Sequence, residues 1–394
     1  MRPARRHWFG FILLTVGSYA VLWCRPQWLA AWGIRLPQGR WFVDTEALLI
    51  ASDAHALGRD EPLWYSDWWL RMHALGLDRG DTTALGLGIV VGFLVVAFLV
   101  LRPRSLPELV FCWLVLCSPV VLLGVNRANM DLFIFDVLAL AGWLLVHRTR
   151  FVRWLAPVVV AFAAGLKFYP IVAAAALPFA PQARRESWRL LGFMTLLAGL
   201  LGLNLYDDVV RARALVSTPV RLYTFGAMQI IPRDAAGGLA TLAAVALGGA
   251  LVLFWWRRAP EPPAELDSRD TLFFAVGAIT VVGCFFAGVS YNYRLVFSLL
   301  MLPLLGFLRR TERAGLRRNL SVATLAGLLV LLWLDGWVCL LVNLRPGWVQ
   351  LTTAIECRQL AYGLVSWVWS GATLGLLVML ARPVCRRMVQ PEAT

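Results

Sequence analysis

Ala84-Leu85-Gly86-Leu87-Gly88-Ile89-Val90-Val91-Gly92-Phe93-Leu94-Val95-Val96-Ala97-Phe98-Leu99-Val100-Leu101 carries no charge over its whole length and stops at Arg102-Pro103-Arg104. An uncharged apolar run of this kind is close to the ~20 residues that a helix needs to cross the hydrocarbon core of a bilayer. Scanned outward with a window of ~19 residues, the rest of the chain gives further apolar segments near 8–24, 108–124, 131–147, 152–166, 168–180, 188–205, 238–256, 270–288, 294–308, 320–342 and 361–381. The sequence therefore predicts an all-α integral membrane protein of about 12 transmembrane helices (11–13 by how 152–180 is divided). Several of the middle segments are short for a perpendicular crossing, which predicts broken, re-entrant or stacked helices there.

Composition agrees. Sixty per cent of the 394 residues are apolar, well above the share of a soluble domain. The formal charge of +14 comes almost wholly from arginine, Lys167 being the only lysine. These arginines form no contiguous basic face and match no binding motif, which excludes nucleic acid as a partner. The seven cysteines contain no CxxC pair and lie in or beside apolar runs, so they read as small core residues. A bridge between Cys339 and Cys357 on the outer side is conceivable but not expected, since it demands a close approach that spacing does not supply.

The loops orient the chain. With the N-terminus inside, 22 of the 37 basic residues fall in seven short inner loops and tails, among them Arg102 and Arg104, Arg257, Arg258 and Arg269, and Arg309 and Arg310. The outer segments hold about twice as many residues but fewer cations, the asymmetry expected of cytoplasmic loops. Both termini are then cytoplasmic in a plasma (inner) membrane. Residues 1–24 have the charge and length of a signal peptide, but no small-x-small site follows, so an uncleaved first span is expected. The reading is one polytopic domain, 1–394, with long outer loops at 25–83 and 206–237 and a shorter one at 343–360. The first loop contains eight of the 23 acidic residues and a candidate amphipathic helix, Trp41 to Leu57, suited to the membrane surface.

Four polar clusters interrupt the apolar chain, and this topology puts all of them on the outer side. Membrane-embedded polar groups are costly and tend to be functional. Asp44 is a candidate general base at the border of water and lipid, with Glu46, Asp53, Asp60 and Asp67 as competitors. Asn126, Asn129 and Arg127 can hydrogen-bond a polyhydroxylated ligand, although Arg127 and Asp131, four apart, are equally placed to pair on one helical turn. Lys167 lies between an apolar run and Phe168-Tyr169-Pro170, where Pro170 can break the helix; its ammonium needs a phosphate, a carboxylate or the interface. Tyr291, Asn292, Tyr293 and Arg294 combine aromatic faces for a sugar ring with a planar fork for phosphate, or anchor the interface. Trp64, Tyr65, Trp68 and Trp69 offer the same choice. Asp53 and His55 lack a third ligand, so no metal is expected. No P-loop, GxSxG, HExxH or dinucleotide fingerprint is present.

Together, Asp44 in the first outer loop, Asn129-Met130-Asp131, Lys167-Phe168-Tyr169-Pro170, and Tyr291-Asn292-Tyr293-Arg294-Leu295 with Pro303 downstream resemble the polyprenyl-phosphate-sugar-dependent glycosyltransferases of the GT-C fold, in particular the family 87 mannosyltransferase-like proteins. The family pattern places apolar residues and a tyrosine after its aspartate, where this chain has Thr45. The resemblance implies a GT-C-like scaffold and transfer of a hexose, mannose among the options, from a polyprenyl-phosphate donor to an extracytoplasmic glycan or glycolipid acceptor. It implies Asp44 as base, with inversion at the anomeric carbon and no cofactor or metal. Lys167, Arg294 and Arg127 would hold the donor phosphate, with Arg221 as a further candidate. Asn126, Asn129, Asp131, Tyr169, Tyr291, Asn292 and Tyr293 would line the substrate site. A polytopic transporter or lipid flippase is the alternative, and a non-catalytic assembly protein a third.

Overall fold

A computed structural model describes residues 3–34, 40–59, 66–181, 184–215, 224–227, 237–263, 266–286, 290–312, 314–344 and 351–389. Apart from a two-residue antiparallel pairing of Thr224–Phe225 with Ser290–Tyr291, the regular structure among the described residues is helical. Among the described residues seven helices are long and apolar enough to cross a membrane, or eight if one bent pair counts as a span. The chain is thus an all-α, multi-pass membrane protein.

Each apolar segment of the sequence has a helical counterpart, and the departures have local causes. The segment 108–124 is two helices, Leu106–Leu116 and Pro119–Arg127, bent by 48°; Pro119 lacks an N–H and cannot continue the first helix. Residues 152–180 are not one long helix. Arg150–Leu166 ends where Lys167 turns extended (φ −154°, ψ 115°), and Tyr169–Phe179 follows as a 3₁₀ helix with Pro170 in its first turn and Pro178 near its end. Likewise 294–308 is a 3₁₀ helix, Asn292–Met301, running into an α-helix, Leu302–Thr311, with Pro303 in the first turn of the α-helix. The helix Arg184–Leu215 continues ten residues into the expected outer loop 206–237, helped by the Asp208–Arg211 pair one turn apart. Neither Cys339 nor Cys357 is in a disulfide, so the bridge that their outer positions allow does not form.

The chain divides into two compact units. One consists of Pro37–Val96, Gly124–Thr218 and Arg387–Thr394. Its first helix, Val43–Ala56, matches the expected amphipathic segment to within two residues, but its inward face is packed against protein. Ser52 Oγ donates to the Leu70 carbonyl (3.0 Å) and accepts from the His73 amide (2.8 Å), clamping this helix to the 3₁₀ turns Asp67–Arg71 and His73–Leu75. Met130–Leu145 packs along Arg150–Leu166, which also contacts Arg184–Leu215 and the Tyr169–Phe179 segment. Phe93 of Thr82–Val100 meets Phe135 edge to face at 5.3 Å.

Trp68 and Trp69, candidate sugar platforms, serve this packing instead. Trp69 Nε1 donates to the Leu166 carbonyl (3.0 Å) and the Trp68 ring lies on Gly165 where a Cβ would stand. Both contacts hold the end of Arg150–Leu166 just before Lys167. Gly165→Ala is therefore expected to lower stability by about 1–3 kcal/mol through overpacking; thermal unfolding in detergent checks this, and an unchanged midpoint would contradict the packing.

The other unit consists of Met1–Leu36, Ala97–Leu123 and Pro219–Arg386. Pro3–Cys24 packs on Leu106–Leu116, with Tyr19 donating to the Leu116 carbonyl (2.8 Å) and Trp113 to Ser18 (3.0 Å). Ser268–Phe286 lies along Asn292–Met301, close enough at Gly277 that a Cβ would stand 2.6 Å from the Phe297 carbonyl oxygen.

Candidate functional site

The helix Pro119–Arg127 closes with the two bonds of a Schellman turn: Ala128 N–H to the Val125 carbonyl (3.0 Å) and Asn129 N–H to the Gly124 carbonyl (2.9 Å). Ala128 occupies the left-handed position (φ 43°) that glycine usually fills. Phe42, just before the Asp44 helix, is also left-handed (φ 65°), and among the described residues no other non-glycine has positive φ. Each is strained by about 1 kcal/mol or more, and hydrogen bonds between the two segments hold them. Phe42 N–H donates to the Asn126 carbonyl (2.8 Å) and Thr45 Oγ1 to the Ala128 carbonyl (3.0 Å).

This stapling delivers Asp44 to Arg127 and Asn129. Arg127 donates to Asp44 Oδ1 from Nε (2.9 Å) and Nη2 (2.5 Å), and Asn129 Nδ2 donates to Asp44 Oδ2 (2.5 Å). Asn129 Oδ1 of the same side chain accepts from the Asp131 N–H (2.9 Å) and so caps Met130–Leu145. Asp131 Oδ1 in turn accepts from Lys167 Nζ (2.5 Å) and Tyr169 Oη (2.6 Å). Lys167 reaches it because the extended backbone at 167 turns the side chain out of the helix that ends at Leu166. Arg127 and Asp131 do not pair with each other on one turn; the left-handed residue between them redirects each to a different partner.

Two acids and two bases thus form one continuous, charge-balanced network, graded in exposure. Arg127 is 38% exposed, Asp44 13%, Lys167 10% and Asp131 1%. Beside them the Asn126 side chain is buried, and neither its Oδ1 nor its Nδ2 has a hydrogen-bond partner among the described residues. A buried amide with neither polar atom bonded to the protein is unusual. The competing carboxylates are used elsewhere: Glu46 by Arg40 and Arg79, Asp53 by His73 and the Arg79 amide, and Asp67 by Arg211. Asp60, Trp64, Tyr65 and Arg221 lie outside the described residues. Among the described residues no group of His, Cys, Asp or Glu could hold a metal, and His55 is exposed at the far end of its helix.

Lys167→Met leaves Asp131 with the Tyr169 hydroxyl as its remaining side-chain donor among these bonds, and a cost of about 2–3 kcal/mol is expected. Thermal unfolding of the detergent-solubilised variant measures it; no loss would show that the pair contributes nothing to the fold.

The fourth cluster belongs to the other unit. Tyr291 and Tyr293 stack on one another at 5.2 Å with ring planes 11° apart, and Tyr291 pairs through its backbone with Thr224. Arg294 is half-buried in the first turn of Asn292–Met301. Asn292 is buried and donates from Nδ2 to Asp335 Oδ2 (2.5 Å). Asp335 also takes both Nε and Nη2 of Arg358, the latter at 2.8 Å, with both side chains fully buried. Tyr362 stacks on that guanidinium, 4.3 Å from Cζ to the ring centroid. The chain matches no family model, no curated protein and no solved structure.

The Asp335–Arg358 pair escaped the sequence reading, which absorbed Asp335 into the apolar run 320–342 and left Arg358 in a loop. A lone carboxylate in the middle of a span was the available signal. In this unit the resemblance-derived Asn292 is a partner of that pair rather than a lone polar side chain.

Proposed function

We propose that the chain is a membrane hexosyltransferase that moves a sugar from a polyprenyl-phosphate donor to an extracytoplasmic glycan or lipid acceptor. The scaffold is GT-C-like, with twelve crossings and both termini cytoplasmic, in the manner of the family 87 proteins it resembles. The observation that supports this most is the Asp44 carboxylate, held by Arg127 and Asn129 in a strained junction beside the unpartnered amide of Asn126.

In this reading the donor phosphate approaches Arg127, the most exposed cation of the network, through the bidentate geometry that guanidinium offers. Engaging phosphate, Arg127 loosens its hold on Asp44 Oδ1, whose lone pair then accepts the proton of the acceptor hydroxyl. The hydroxyl oxygen bonds to C1 of the sugar as the C1–O bond to phosphate breaks, and the electron pair leaves with the phosphate. Displacement from the opposite face inverts the anomeric centre. Lys167, held against Asp131 beneath, adds positive potential toward the growing phosphate charge. Asn126, Asn129 and Tyr169 supply donors and acceptors for sugar hydroxyls. Arg294 and the stacked tyrosines belong to the other unit, and the transfer step above runs without them.

The purified chain in liposomes carrying polyprenyl-phosphate hexose and a glycan acceptor is expected to yield a covalently lengthened acceptor and free polyprenyl phosphate. Movement of the sugar lipid across the bilayer with no covalent product would decide for a flippase.

A further inference from the structure

A cavity of about 830 Å³ opens in the unit that contains Pro3–Cys24. Its rim carries Arg5, Arg102, Arg104, Arg269, Arg309 and Arg310, facing three carboxylates, Glu108, Asp267 and Asp270. Glu108 is already used by Arg310 and by the Arg104 N–H (2.8 Å), and Asp267 accepts from the Arg269 N–H (2.9 Å). Six arginines against three carboxylates leave three positive charges in excess. Arg269 Nε is buried and has no hydrogen-bond partner among the described residues. Below the rim the wall is apolar, with Trp8, Phe9, Phe111, Leu302 and Leu325.

The cavity gathers the starts of Pro3–Cys24, Ser268–Phe286 and Leu316–Leu344 with the ends of Thr82–Val100 and Leu302–Thr311. These are the helix ends next to the loops that the charge pattern of the sequence assigns to one side, so the cavity opens at the positive mouth of this unit. From Val322 on its wall to Asp335 is about 20 Å along one helix, so it is separate from the Asn292–Asp335–Arg358 cluster.

We propose that this cavity binds an anionic phospholipid, phosphate against the arginine rim and acyl chains along the aromatic wall. An excess of forked cations over a greasy floor suits a phosphate ester with a hydrocarbon tail better than a zwitterionic lipid. A free phosphate ester shares the headgroup chemistry but makes no use of the Trp8, Phe9 and Phe111 wall. Binding here involves no sugar transfer, so it stands independently of Asp44.

The test titrates the full chain in detergent with phosphatidylglycerol, phosphatidylcholine and glycerol 1-phosphate, reading bound species by native mass spectrometry. Phosphatidylglycerol is expected to bind at least about tenfold more tightly than phosphatidylcholine, and Arg102→Gln with Arg309→Gln to lose about tenfold of that affinity, the scale of one charge-assisted hydrogen bond. Both substitutions are at the rim and outside the ion pairs described above; if the double variant unfolds, Arg5→Gln on the exposed first turn replaces it. Equal binding of the two lipids, undiminished affinity in a folded variant, or displacement of the lipid by glycerol 1-phosphate at matching concentration would each overturn the proposal.

Discussion

Asp44→Asn is expected to slow sugar transfer by about 10²–10⁴-fold, the usual worth of a positioned proton acceptor. Asparagine keeps the shape, can still accept from Arg127 or Asn129, and removes the basic lone pair. Donor affinity should therefore change little while turnover collapses. Asp44→Glu is a useful companion, since it restores a carboxylate but displaces it from the Arg127 and Asn129 donors, which reach it at 2.5–2.9 Å; partial recovery is expected. Turnover of Asp44→Asn equal to that of the unaltered chain would remove Asp44 from the mechanism. If turnover and donor affinity instead fall together, the residue organises the junction and does not accept the proton.

Arg358→Met is expected to destabilise the fold by about 3–5 kcal/mol, because it strands the Asp335 carboxylate in an apolar interior. Both partners are fully buried, and Asn292 supplies only one further donor to the carboxylate. Removing both charges is a different matter. Asp335→Leu combined with Arg358→Met exchanges an ion pair for apolar volume and is expected to recover most of the loss, since the desolvation of the pair disappears with it. Melting of the single and double variants in one detergent gives the coupling directly. A double variant as unstable as the single would mean that the site needs the guanidinium for packing under Tyr362 and not only for charge.

Much of the architecture was legible because hydrophobic run length is a strong signal in a bilayer. Every apolar segment became a helix, and Trp41 to Leu57 emerged as Val43–Ala56. Prolines carried their usual meaning: Pro119, Pro170 and Pro303 each mark a break or a change of helix type. Less legible was anything set by tertiary partners. The spacing of Arg127 and Asp131 suggests an i,i+4 pair, yet one alanine in the left-handed region sends Arg127 to Asp44 and leaves Asp131 to Lys167. Nothing local forecasts that turn, because glycine, its usual mark, is absent. Trp68 and Trp69 are indistinguishable by composition from interfacial anchors, and only the approach of Gly165 and the Leu166 carbonyl reveals their packing role. The Asp335–Arg358 pair joins residues 23 apart across two long helices, a separation that no periodicity records.

The most direct measurement of the central claim is an electron cryomicroscopy structure of the chain holding a polyprenyl-phosphate hexose. The expected result is a phosphate in hydrogen-bond contact with Arg127, Asp44 released from the guanidinium and facing the acceptor side of C1, and Asn126 bonded to the sugar. A donor seated elsewhere, with Arg127 still clamped on Asp44 and the Asn126 amide still unpartnered, would contradict it.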